Sequence, residues 1–177
     1  MKSLETQLRS TIREVLDFPK PGINFKDISP ILENPNLCKQ IISMFANQLK
    51  DKNIDAIAGI ESRGFLFGLP VALEMGIPFV LIRKKGKLPY KTISHKYDLE
   101  YGSAEIEINL DSVKEGWNVA IHDDLLATGG TAAAAAELIG SQKAFVKAFT
   151  FLIELDFLGG GKKLQPYSKN IVSLIHY

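Results

Sequence analysis

With 177 residues, a formal net charge of +1 and 46% hydrophobic residues, the chain has the size and balance of one globular domain able to bury a sizeable core. That charge excludes an electrostatic footprint for nucleic acid, and no apolar run reaches membrane length, so neither nucleic acid nor a membrane is an expected partner. The lone cysteine, Cys38, excludes an internal disulfide, and the opening MKSLETQLRS lacks a signal peptide's apolar region, so a reducing, cytoplasmic location is expected.

Apolar residues at Leu4, Leu8, Ile12, Val15 and Leu16 recur at helical spacing, which predicts a helix over Ser3–Leu16. Phe18-Pro19-Lys20-Pro21-Gly22 breaks it. Asn34-Pro35 supplies an N-cap and a first-turn proline for a second helix, with Leu37, Ile41, Phe45 and Leu49 on one face. Ala56–Ile60 reads as a short buried strand ending at Glu61-Ser62-Arg63-Gly64, with a helix following to about Met75. Pro78–Ile82 is another buried strand. Arg83–Tyr101 is basic, carries glycine and proline, and lacks periodicity; it is too long for a plain connection and is a candidate lid. Ala104–Leu110 alternates as a half-exposed strand would. A strand at Val119–Ile121, an alanine-rich helix at Thr131–Ile139, an apolar strand at Val146–Ile153 and a last strand at Ile171–Ile175 complete the chain. Strands alternating with helices predict an α/β fold with a parallel sheet. Ligands of such sheets bind beyond the carboxyl ends of the strands, where Glu61–Gly64, Arg83–Lys87 and Asp123–Thr131 all fall.

The stretch Val119–Ala132, VAIHDDLLATGGTA, carries the most chemistry. Asp123 and Asp124 follow the strand, and Ala127-Thr128-Gly129-Gly130-Thr131 forms a small-residue loop that opens a helix. Glycines let the backbone approach an anion, and the first amides of a helix lack internal partners, so a phosphate monoester fits there. The adjacent carboxylates suit sugar hydroxyls and a hard cation such as Mg2+. Phosphate, vicinal diol and metal in one place describe a phosphorylated ribose. The competing reading is a tight turn with helix-capping aspartates. A cap needs one acid, however, and two adjacent acids repel unless something positive binds between them.

This order of residues resembles the phosphoribosyl-pyrophosphate (PRPP) motif of the type I phosphoribosyltransferases. The likeness covers nearly the whole chain and is greatest to the adenine branch, through FPKPGINFKDISPIL (Phe18–Leu32), ESRGFLFGLPVA (Glu61–Ala72), IRKKGKLP (Ile82–Pro89), YDLEYG (Tyr97–Gly102) and DDLLATGGT (Asp123–Thr131). The resemblance implies a parallel sheet flanked by helices in one domain over residues 1–177. A small hood would come from about residues 1–34 and a flexible lid from about 83–101, usually in a homodimer. The reaction implied is purine salvage, in which adenine and Mg2+-bound PRPP give AMP and pyrophosphate. The 6-oxopurine enzymes place an aspartate three residues after their acidic pair; here Ala127 stands there, which points to adenine.

The resemblance also distributes roles. Asp123, Asp124, Ala127, Thr128, Gly129, Gly130 and Thr131 would hold the ribose and its 5′-phosphate, with Asp123 and Asp124 meeting the metal mostly through PRPP and water. Glu61, Ser62, Arg63, Gly64, Arg83, Lys84 and Lys87 would hold pyrophosphate, and the peptide between Glu61 and Ser62 is cis in the family. Departure of pyrophosphate leaves an oxocarbenium-like ribose, so Arg63 would act on the leaving group. Glu100 would stabilise the purine through N7, as the second catalytic residue, and Tyr101 would lie on the lid. Phe25 would stack on adenine, with the backbone of Asn24 and Lys26 reading its edge; a core aromatic is the alternative for Phe25. Lys26 stands where relatives commonly carry arginine. His122 stands where an apolar strand residue is usual, leaving open a ligand contact or a local hydrogen bond. Two rivals to the adenine reading are a purine transferase of broader base preference and a PRPP-sensing regulator without catalysis. The regulator has no reason to keep Glu100, Arg63 and the lid together.

Overall fold

A computed structural model describes residues 3–98 and 102–177, and its packing divides the chain into two units, Met1–Met44 and Phe45–Tyr177.

In the first unit, α1 spans Leu4–Thr11 and is capped by Ser3, whose hydroxyl accepts the Thr6 N–H at 3.2 Å. The helix stops earlier than its apolar spacing predicts. Ile12 turns extended (φ −62°, ψ 127°), and Arg13–Leu16 becomes strand β1, paired antiparallel with β2 (Asn24–Asp27). The reason is backbone satisfaction: the β2 ladder offers partners along all of Arg13–Leu16, and Leu16 stays 72% exposed, so its helical spacing marks no buried face. In the reversal between the strands, the Asp17 carboxylate accepts the Gly22 N–H at 2.7 Å. A single turn, α2 (Ser29–Leu32), precedes α3 (Pro35–Leu49). The predicted start of α3 is realised: Asn34 Oδ1 accepts the Leu37 N–H at 3.1 Å, and Leu37, Ile41, Phe45 and Leu49 are all buried.

The second unit is built on β3 (Ala56–Ile60), β4 (Phe79–Lys84), β5 (Thr92–Asp98), β6 (Ser103–Asn109), β7 (Asn118–Leu126), β8 (Phe145–Glu154) and β9 (Ile171–His176). They form one sheet in the order β5-β6-β4-β3-β7-β8-β9, parallel from β4 to β9, with β5 and β6 added antiparallel at one edge. Every residue of β3 is buried, as a central parallel strand requires. Helix α4 (Gly64–Met75) packs on β3 and β7, and α5 (Gly130–Ser141) packs on β5, β7 and β8; α6 (Gly160–Leu164) contacts α5. Five consecutive alanines, Ala132–Ala136, are buried in α5, which lets its backbone lie close to the strands.

Two expectations are corrected at the sheet edge. Half of Arg83–Tyr101 is not irregular: Thr92–Asp98 pairs residue for residue with Ser103–Asn109. The alternation in β6 also misleads, because Glu107 is buried along with Ile106 and Ile108. Its carboxylate is satisfied inside the fold by the Lys87 N–H at 3.0 Å, the Leu88 N–H at 2.9 Å and the Thr92 hydroxyl at 3.0 Å. A charge so bonded can leave water at little net cost.

His122 takes the local of its two readings. Its ring is buried edge-on to Phe45 at 5.1 Å between centroids, and Nδ1 shares a 2.9 Å hydrogen bond with the Thr150 hydroxyl. Burial pushes its pKa from 6.5 down to about 3. The unfolded chain therefore takes up this proton first, and stability is lost as pH falls from about 6.5 toward about 3. Replacing His122 with Asn should flatten the fall in unfolding free energy between pH 6.5 and 5, read by calorimetry against the parent protein, by up to ~1.4 kcal/mol per pH unit. An unchanged slope would show that His122 is not buried neutral.

Candidate functional site

Strand β3 partners β7 only as far as Gly59↔His122, whereas β8 follows β7 on to Leu126↔Glu154. The acidic pair thus begins where one side of β7 loses its neighbour. The turn after β3 fills that place. Gly64, at the start of α4, lies so close that a Cβ there would stand 2.7 Å from the His122 carbonyl oxygen and 3.1 Å from Asp123 Cα. Only glycine permits the approach. It brings Arg63 Nε to 3.0 Å from Asp124 Oδ2, and the Glu61–Ser62 peptide is cis, as the resemblance implies.

The two carboxyl groups are unequal. Asp124 is 3% exposed; burial raises its pKa, and the Arg63 charge opposes that rise. Asp123 spends one oxygen on the Asp124 N–H at 2.8 Å, and its carboxyl is held well above the usual 3.8 by burial and then by the Asp124 charge. The Arg63 guanidinium is paired with Asp124, and Lys84 lines the same cleft.

Beyond them, β7 runs into a loop that opens α5. Gly129 adopts φ +76°, a conformation that favours glycine, and the helical pattern starts with Ala133 N–H donating to the Gly129 carbonyl at 2.9 Å. The amides of the turn before it are oriented along the helix axis and carry its positive end. The loop has a backing that sequence reasoning missed. A Cβ on Gly129 would meet the Gly160 carbonyl oxygen at 2.8 Å, and a Cβ on Gly160 would overlap the Ala127 carbonyl oxygen. The run Gly159-Gly160-Gly161 at the end of a strand was the available signal.

Two clefts adjoin here. One, of about 90 Å³, is lined by Asp123 and the loop through Thr131; the other, of about 360 Å³, is lined by Glu61, Ser62, Arg63, Lys84, Asp123 and Asp124. Both include Asp123 and Leu125. Glu61 faces its own cation: Arg83 donates to both its oxygens, at 3.2 and 3.0 Å, and the Lys84 N–H adds a third bond at 3.0 Å. The Arg83 hydrogen bond is the main cause of its lowered pKa. Lys84 borders the cleft, and the Lys87 backbone is tied to Glu107. Glu107 is therefore a second missed residue, concealed by the alternation of its strand.

Asn24, Phe25 and Lys26 lie in β2 of the first unit. Phe25 meets Phe18 edge-on at 5.2 Å. Glu14 binds both neighbours, Asn24 at 2.9 Å and the 6% exposed Lys26 at 2.6 Å. Glu100 and Tyr101 lie outside the described residues. A larger cleft, about 620 Å³, opens elsewhere beside Glu154 and Asp156, where His176 Nδ1 pairs with Asp156 at 2.8 Å. It shares no residue with the strand-end loops.

Comparison with known proteins converges on one family. The phosphoribosyl transferase domain model matches residues 27–173. An adenine phosphoribosyltransferase of Cytophaga hutchinsonii is 55% identical over 174 residues, covering 98% of this chain and 96% of that one. The crystal structure of adenine phosphoribosyltransferase from Thermoanaerobacter pseudethanolicus superposes with a TM-score of 0.94 at 48% identity, covering 99% of this chain and 100% of the other. The Saccharomyces cerevisiae enzyme, complexed with D-2,5-dideoxy-2,5-imino-altritol 1,6-bisphosphate and adenine, gives 0.91 at 41% identity, covering 98% and 99%.

The electrostatics of the pair predict a stability effect. Both carboxyl groups titrate above their unfolded value, so this contribution is present in full below pH 3.8 and lost as pH rises through the folded values. At neutral pH, Asp123→Asn keeps the acceptor for the Asp124 N–H and removes the repulsion. Its Tm without ligand should rise by ~2–4 °C, the shift that about 1 kcal/mol produces at this size. Asp124→Asn loses the Arg63 pair and should gain less or fall. A lower Tm for Asp123→Asn than for Asp124→Asn would contradict this electrostatic order.

Proposed function

The chain belongs to the adenine phosphoribosyltransferase family, and we propose that the strand-end loops described above carry that family's reaction, transfer of the 5-phosphoribosyl group from PRPP to adenine with release of pyrophosphate. The observation that carries this assignment is the approach of Gly64 to Asp123, which sets the Arg63 turn, the acidic pair and the loop before α5 side by side. The 5′-phosphate sits in the smaller cleft against Thr128, Gly129, Gly130 and Thr131, facing the positive end of α5. Asp123 and Asp124 accept hydrogen bonds from the ribose hydroxyls. Pyrophosphate occupies the larger cleft, where Arg63, the amides of the Ser62–Gly64 turn and Lys84 take up its charge, with Lys87 beside them. Glu61 is assigned to this subsite through Arg83, which it orients; a carboxylate facing pyrophosphate directly would repel it.

Mg2+ fits the donor set: two acids with raised pKa values sit beside one guanidinium, and a hard cation supplies the missing positive charge. Asp123 and Asp124 would hold it together with PRPP oxygens and water, and it would lower the charge on the departing pyrophosphate. Adenine recognition is assigned to Asn24, Phe25 and Lys26, and charge stabilisation on the purine to Glu100, both from the resemblance. Tyr101 and the segment 83–101 are assigned to the lid. Within that segment β5 pairs along its length with β6. On α4, Leu66, Leu69 and Leu73 are exposed on a helix otherwise packed against the sheet, a surface that suits a second copy in a homodimer. Among the described residues no helix is long and apolar enough to cross a membrane, and a cytoplasmic setting fits the single thiol of Cys38.

Product formation from PRPP with adenine, hypoxanthine and guanine offered separately tests the assignment. Adenine should give AMP only when Mg2+ or a similar cation is present, and equal turnover of hypoxanthine would overturn the base assignment. Asp123→Asn and Asp124→Asn should weaken PRPP binding more than adenine binding in calorimetric titrations. Glu100→Ala should lower kcat by about 30- to 1000-fold, the worth of a charge-assisted contact that strengthens in the transition state, with Glu100→Gln between. Near-normal turnover by a folded Glu100→Ala protein would remove Glu100 from the mechanism.

A further inference from the structure

The hydroxyl of Tyr97 lies 3.2 Å from the hydroxyl of Thr131, and either oxygen can donate. Tyr97 belongs to the edge strand β5, opposite Ala104, and its ring packs against the core. Thr131 stands in the first turn of α5 and lines the smaller cleft. The two hydroxyls are 34 residues apart in sequence and join the antiparallel edge of the sheet to the loop assigned to phosphate.

We propose that Tyr97 is a positioning residue for the 5′-phosphate, acting through Thr131. This rests on the assignment of the loop as the phosphate subsite. A threonine hydroxyl has one proton to give and lone pairs to accept with, whereas a phosphate dianion only accepts. When phosphate fills the cleft, Thr131 must turn its proton toward it. The ambiguity of the Tyr97–Thr131 bond then resolves in one direction: Tyr97 donates to Thr131, and Thr131 donates to phosphate. Donors arranged in series polarise one another, so the phenol makes the threonine a better donor while fixing its rotor. A phenylalanine at 97 would fill the same space against the core and would leave Thr131 free to rotate.

The test is a double-mutant cycle with Tyr97→Phe, Thr131→Val and the pair, read as Kd for ribose 5-phosphate by calorimetry and as KM for PRPP and for adenine. Tyr97→Phe should weaken ribose 5-phosphate binding and raise KM for PRPP roughly 3- to 10-fold, the worth of one neutral hydrogen bond. KM for adenine and the Tm should stay near the parent values. In the Thr131→Val background, Tyr97→Phe should cost nothing more. If Thr131→Val weakens binding while Tyr97→Phe leaves it unchanged, or if Tyr97→Phe costs the same in both backgrounds, Tyr97 does not act through Thr131. If Thr131→Val itself binds ribose 5-phosphate normally, the phosphate assignment of the loop fails, and this inference with it.

Discussion

Asp123 and Asp124 put two carboxyl groups on adjacent residues of one strand, the first half-buried and the second buried, with the Arg63 guanidinium beside the second. That arrangement is unfavourable for the empty protein. Burial raises both pKa values, and the Asp124 charge raises that of Asp123 further. The surrounding fold makes it tolerable by small backbone contacts: the Asp124 N–H on Asp123, the Arg63 ion pair, and the glycine approaches that lock the neighbouring turn and loop in place. Under the proposed function, a ligand bringing hydroxyl donors and a cation would offset this cost. The site is preorganised for a charge distribution that it does not itself contain, which is how electrostatic catalysis is arranged in general.

The glycines decide where that charge sits. Gly64 allows α4 to start against β7, and Gly129 and Gly160 allow the loop before α5 to rest on the start of α6. Each contact is backbone to backbone, so each is lost to a single methyl group. The cations are positioned at one remove. Glu61 holds Arg83 with two hydrogen bonds, and Glu107, buried in β6, ties down the backbone of Lys87 and Leu88. Two acids thus hold a basic segment in place.

Much of this was legible in the sequence. The motif strand, its acid pair and its glycine loop could be read from residue order, since two adjacent acids beside a glycine loop go beyond what a turn and a helix cap require. The parallel strands and α3 to α5 followed from apolar runs and an N-cap. What stayed hidden depends on partners distant in sequence. Arg13–Leu16 carries helical spacing, yet becomes a strand because Asn24–Asp27 pairs with it. Glu107 sits in an alternating strand, yet is buried because Lys87, Leu88 and Thr92 satisfy it. The run Gly159-Gly160-Gly161 marks a close approach but not that Ala127 is its partner, and Tyr97 gives no local sign that it reaches Thr131. His122 could be read two ways until Thr150 and Phe45 closed around it.

The claim that the acid pair is held out of balance until ligand arrives is tested most directly by counting protons. Calorimetric titration of Mg2+-PRPP into the protein, in buffers of different ionisation enthalpy and from about pH 7 down to about pH 5, gives the number released on binding. The raised pKa of Asp123 predicts that the parent protein releases more protons than Asp123→Asn. Equal proton counts for the two proteins at every pH would contradict the account.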